Sequence, residues 1–330
     1  MLFFCVFAYW DIDYFGLYGD FLIMNRGGAH RDVIYPWLVK ISFGSYTLFR
    51  FYIWGIAELL FYKAVKLLGL DRNLTIYVMI MNFMLLFSYA RASLGMSFYF
   101  YGITCFAMSK SKGKGVLVML LCFLFSYFSH RSMLILIALT PLFFVKLNTR
   151  RLILFGIVFF AALIPLSRYI LLSSASGDAL VGGDEFSEFN AAAQQYANYD
   201  ESYLREDNWK FTLIKRLRNL SVIVGVVLSA FIILRKKNKI FVDAYMNRLL
   251  MLSIGIVLVA ITFLIQTSSY GSEIIGYRIL YMAGIPVVLM LSYLYENGLC
   301  SWKTLHWAFL PSILFQEGFI IGKIISLGIF

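Results

Sequence analysis

The chain consists of apolar runs of about 17 to 25 residues, separated by short polar breaks, several of which are clusters of lysine and arginine. A run of that length crosses about 30 Å of hydrocarbon as a helix, with every backbone donor and acceptor satisfied within the segment. None shows the two-residue alternation of a barrel strand. The expected fold class is therefore all-α: a polytopic transmembrane helical bundle of about 10–11 membrane helices, some short or re-entrant. It reads as a single membrane domain over 1–330, with external loops at about 11–45 and 173–217. Composition agrees, since 61% of residues are hydrophobic, 14% are charged and the mean hydropathy is +0.78, outside the soluble range.

A formal net charge of +11 invites a nucleic-acid reading. The cations do not form one patch, however; they lie in short clusters between apolar runs, the pattern of topology signals. The clusters are Lys110, Lys112 and Lys114, then Lys146, Arg150 and Arg151, then Arg235, Lys236, Lys237 and Lys239, and the positive-inside rule places all three on the cytoplasmic side. No nucleic-acid partner is expected. Helices are expected at about 1–10, 46–68, 74–89, 92–108, 116–129, 132–145, 152–172, 218–234, 247–266, 278–296 and 304–326. The first is too short to span and lacks the basic flank and cleavage site of a signal peptide.

The segment 116–145 has basic clusters on both sides, so the chain must enter the membrane and return within it. Two helices of about fourteen residues each rise only about 21 Å, too little for both to span. The expected solution is a V whose tip, at Ser129, His130 and Arg131, lies within the membrane. The competing reading is one long tilted span. A cation at membrane depth costs about 2.5–3.5 kcal/mol, so Arg131 there should face a cavity and marks a candidate functional site. Glu58, in the middle of an expected span, should pair, protonate or face a cavity for the same reason.

With this topology the other unusual charges gather on the outer side: Asp11, Asp13, Asp20, Arg26, His30, Arg31 and Asp32 in the first loop, Arg91 at a tight turn, and Glu273 and Arg278 after Gln266. The loop at 173–217 is acidic first and basic near its re-entry. "GGDEF" at Gly182 to Phe186 matches the diguanylate cyclase signature letter for letter, but a membrane loop has no room for that α/β domain; a Gly-Gly turn followed by solvated acids accounts for it. Four scattered cysteines, Cys5, Cys105, Cys122 and Cys300, read as small core hydrophobes, and no metal site or cofactor is called for.

The stretches "DIDYFGLYGDF", "HRDVIYPWL", "YARASLGMSFYFYGI", "SHRSMLIL" and "GYRILYMAG" resemble, in kind and in order, the EpsG-like, Wzy-type polymerases of bacterial surface polysaccharides. The resemblance implies an enzyme that joins oligosaccharide repeat units carried on polyprenyl diphosphate, at the outer face of the bacterial inner membrane. Its implied partners are the lipid-linked oligosaccharide, the bilayer, a chain-length regulator and a flippase.

Glycosyl transfer from a lipid diphosphate requires cations at the leaving group, and fixed guanidinium groups in a low-dielectric site supply them without a metal. Arg91, Arg131 and Arg278 are the candidates, with Arg31 as a fourth. The accepting hydroxyl requires a general base, for which Asp13, Asp11 and His130 are candidates. A lipid-oligosaccharide flippase, another polyprenyl-phosphate-dependent glycosyltransferase and a membrane acyltransferase stand as alternatives.

Overall fold

The computed structural model describes residues 14–28, 30, 32–81, 90–145, 209–236, 244–265, 270–310 and 314. In chain order the helices are α1 (Tyr14–Asn25), α2 (Ile34–Ile41), α3 (Tyr46–Leu67), α4 (Arg72–Met81), α5 (Ala90–Met108), α6 (Lys112–Ser129), α7 (Met133–Phe143), α8 (Trp209–Lys236), α9 (Ala244–Ile265), α10 (Tyr270–Tyr281) and α11 (Gly284–Glu296). Residues 302–310 are also helical, and no strand occurs among the described residues. The expected helices at 1–10 and 152–172 lie outside them.

Among the described residues, Lys112–Ser129, Ala244–Leu264 and Gly276–Glu296 are long and apolar enough to cross a membrane. The outer face of α6 shows why burial in protein alone does not explain this helix. Leu117, Leu120, Leu121, Leu124 and Phe125 are all exposed, an apolar stripe that water would penalise and lipid would not. The protein is a helical membrane protein.

Three antiparallel helices carry the V. Near the top of α5, a Cβ on Gly95 would lie 2.7 Å from Met133 Cγ on α7 and 3.2 Å from the Ser126 carbonyl on α6, so glycine lets the α6 backbone and the Met133 side chain approach α5 there. The Ser126 hydroxyl donates to Gly95 O at 2.7 Å and locks that crossing. One turn down, Tyr99 stacks on Phe123 at 4.9 Å and exchanges a hydrogen bond of 2.9 Å with Thr140. At the foot, Phe106 meets Phe144 edge-on. Thus α6 rises beside α5, and α7 descends.

The expected reversal is therefore present, but its arms are unequal. The first begins at Lys112 and has 18 residues, a rise of about 27 Å, and is long and apolar enough to cross. The first arm is longer than the expected start at 116 allows, because the helix takes in Lys112 to Gly115. Ser129 closes that helix, and His130 and Arg131 form the turn that leads into α7.

The stretch 11–45, expected as a loop, carries α1 and α2. Its aspartates and glycines interrupt the apolar run, so it does not read as helix, yet Leu17, Phe21 and Met24 form a buried stripe along α1. Phe21 and Tyr35 both pack on Phe49 of α3, fixing the two helices over one end of the bundle. The helix expected at 278–296 is interrupted instead. Pro286 has no N–H to offer the carbonyl of Met282, and the chain turns at Met282 and Ala283 between α10 and α11. The helix expected from 218 starts at Trp209, so the last part of the 173–217 stretch is helical, while 173–208 lies outside the described residues. Cys105, Cys122 and Cys300 are free thiols, Cys122 buried against Gly102.

Candidate active site at the bundle end

Arg91 stands in the first turn of α5, where the chain enters the bundle beneath α1. Its Nη1 donates to Asp20 Oδ2 at 3.1 Å, and the same carboxylate oxygen lies 3.4 Å from His30 Nε2. The backbone N–H of Asp32 donates to His30 Nδ1 at 3.1 Å. Nδ1 also lies 3.3 Å from the Asp32 carbonyl oxygen, so the Asp32 backbone holds that edge of the ring in either tautomer while Nε2 faces Asp20. The edge of Tyr35 packs at 5.6 Å from the His30 ring and closes it off.

The second half of the site is the tip of the V. Ser129 Oγ donates back to Phe125 O, and His130 then leaves the helix in an extended conformation, with φ of −163° and ψ of 114°. The extended residue turns its imidazole inward, and Nδ1 comes within 3.9 Å of Asp32 Oδ2. Asp32 is 1% exposed, so this carboxylate is withheld from bulk water. His130 lies in the turn after α6, outside the span. Burial holds its pKa below the ordinary value; Asp32 opposes that shift, and the positive charges of Arg91 and Arg278 add to it. Arg278 thus bears on the same imidazole, from the last turn of α10, where a cation also suits the helix dipole.

Arg91, Asp20, His30, Asp32 and His130 therefore form one connected cluster at one end of the bundle, and the charge of Arg278 acts on its imidazole. The family model of the EpsG family matches residues 1–321. The chain belongs to the EpsG family. No curated protein and no solved structure matches it significantly. Membership ties this EpsG-family chain to polysaccharide biosynthesis at a membrane.

Of the expected site residues, Arg91 and His130 lie at the same end of the bundle, and Arg278 is near enough for its charge to bear on His130. Arg131, beside His130, is exposed on the tip. Asp11, Asp13 and Arg31 lie outside the described residues. Asp20, His30 and Asp32 were legible only as outer charges of the first loop; the signal for them was their place in "DIDYFGLYGDF" and "HRDVIYPWL". Glu58 lines a small internal cavity with Trp54, Ser93, Ser97 and Met79, between α3, α4, α5 and α11. Above it Ser93 Oγ and Tyr281 OH share a hydrogen bond of 2.7 Å.

The arrangement has a clear chemical division. Guanidinium groups reach the site from membrane helices, and carboxylates reach it from the α1–α2 segment. Beside them sits an imidazole whose pKa burial lowers, which favours the neutral form that can accept a proton.

Proposed function

We propose that this EpsG-family protein is a polymerase that joins polyprenyl-diphosphate-linked oligosaccharide repeat units into a surface polysaccharide, at the outer face of the bacterial inner membrane. The observation that supports this reading is the Arg91 guanidinium, held by Asp20, at the same end of the bundle as the His130 imidazole facing Asp32, with the charges of Arg91 and Arg278 both acting on that imidazole.

In the proposed reaction, a hydroxyl of one unit attacks the anomeric carbon of another. The new bond is the glycosidic C–O bond, and the bond that breaks is between the anomeric carbon and the diphosphate oxygen. His130 Nε2 takes the hydroxyl proton as the oxygen becomes the glycosidic one, and polyprenyl diphosphate leaves with the bonding electron pair. Arg91 and Arg278 meet the charge that develops on that leaving group, in a site where low dielectric strengthens each interaction. Asp32, opposite Nδ1, holds the imidazole in the tautomer that leaves Nε2 free to accept. The separation of 3.9 Å is longer than a hydrogen bond, as is common in such pairs before substrate binds. Asp11, Asp13, Arg31 and Arg131 remain proposed members of the same outer site, Arg131 as an outlying contact for the diphosphate.

The test is reconstitution of the full chain in proteoliposomes with a lipid-linked repeat unit. A ladder of products, lost in His130→Ala, supports the polymerase. Reorientation of the lipid with no ladder would replace it by a flippase, and addition of a single sugar by another glycosyltransferase.

A further inference from the structure

We infer that Asp20 is a positioning residue for the proposed glycosyl transfer, holding the Arg91 guanidinium in the pose that meets the leaving diphosphate. The inference rests on the polymerase reading and extends it to a residue that would touch neither substrate nor reacting atom.

A guanidinium at the end of a long flexible side chain has no fixed pose of its own, and electrostatic stabilisation requires donors that do not reorganise during reaction. Asp20 Oδ2 supplies the fixed point, 3.1 Å from Arg91 Nη1. That oxygen is itself held by His30 Nε2 at 3.4 Å. The His30 ring is held in turn by the Asp32 N–H and by Tyr35. Because the Asp32 carboxylate faces His130, one short segment, from Asp20 through His30 to Asp32, sets both Arg91 and His130. A plain structural salt bridge between α1 and α5 would show the same first distance. It would not couple Asp20 to Arg91 in the rate.

Two measurements on the full chain decide the matter. The first is independent of activity: phenylglyoxal labelling of Arg91, read by peptide mass spectrometry in detergent. Labelling is expected to be faster in Asp20→Ala than in wild type; an unchanged rate overturns the contact. The second is a double-mutant cycle on polymerisation, normalised to inserted protein. Asp20→Ala is expected to lower kcat by about tenfold to a hundredfold with KM little changed, as loss of a charged hydrogen bond or a small misplacement does. Asp20→Asn, which keeps an acceptor, recovers most of that loss, and Asp20→Ala adds nothing in an Arg91→Ala background. Additive effects, or equal losses in Asn and Ala, overturn the positioning role while leaving the polymerase intact. Wild-type polymer from Arg91→Ala overturns both.

Discussion

The Asp32 carboxylate and the His130 imidazole lie 3.9 Å apart, the first just before α2 and the second at the break between α6 and α7. Residues ninety-eight positions apart in the chain thus face one another in a largely buried pair, and the proton chemistry of the proposed reaction is concentrated there.

Asp32 raises the affinity of His130 for a proton, against burial and the two arginines, which lower it. A base must be neutral to act, so activity is expected to persist at pH values below the ordinary histidine pKa of 6.5 and to fall only as His130 takes up its proton. In Asp32→Asn the opposing carboxylate is gone, so the acid limb moves to lower pH still while the maximal rate drops. A rate profile across pH for the two proteins checks both signs; an acid limb that moves upward contradicts the assignment.

Arg91→Ala and Arg278→Ala are each expected to lower polymerisation by about a hundredfold or more, the range seen when one oriented donor is removed from an active site. Lysine at either position should restore little, because an ammonium keeps the charge but not the planar fork that matches phosphate oxygens. Product ladders normalised to inserted protein provide the measurement.

Arg131 should behave differently from its neighbour. Exposed on the tip, it is proposed to meet the diphosphate on approach, so Arg131→Ala is expected to raise KM more than it lowers kcat. Steady-state kinetics over a range of lipid-linked substrate would show it; a collapse of kcat at unchanged KM would instead place Arg131 at the reacting centre.

The V depends on Gly95. Gly95→Leu forces a side chain into Met133 and the Ser126 carbonyl, an overpacking that costs about 1–3 kcal/mol or more and pushes the His130 tip away from Arg91. Ser126→Ala removes one interhelical hydrogen bond, worth about 0.6 kcal/mol on average in membranes. Thermal denaturation in detergent should therefore show a large loss for the first variant and a small one for the second.

Much of this was legible from hydrophobic run length and basic clusters. Those two signals place α3, α5, α6 and α7, and with the reversal at His130 they bring Arg91 and His130 to the same end of the bundle. The unequal arms were not legible, because the glycines and lysines at 112–115 look like a loop until their level beside Phe106 is known. Nor were α1 and α2, whose stability comes from aromatic packing on Phe49 across the fold and not from local pattern. Asp20, His30 and Asp32 belong to the same gap. A sequence shows that charges lie on one side of a membrane, but only packing shows which carboxylate faces which cation.

The most direct measurement is a gel of lipid-linked and surface glycans from cells deleted for this gene and complemented with wild type, His130→Ala or Arg91→Ala. The account predicts single repeat units on deletion, a ladder restored by wild type, and single units again with either variant at normal membrane levels. A full ladder from both variants, or glycans unaltered by the deletion, would contradict it.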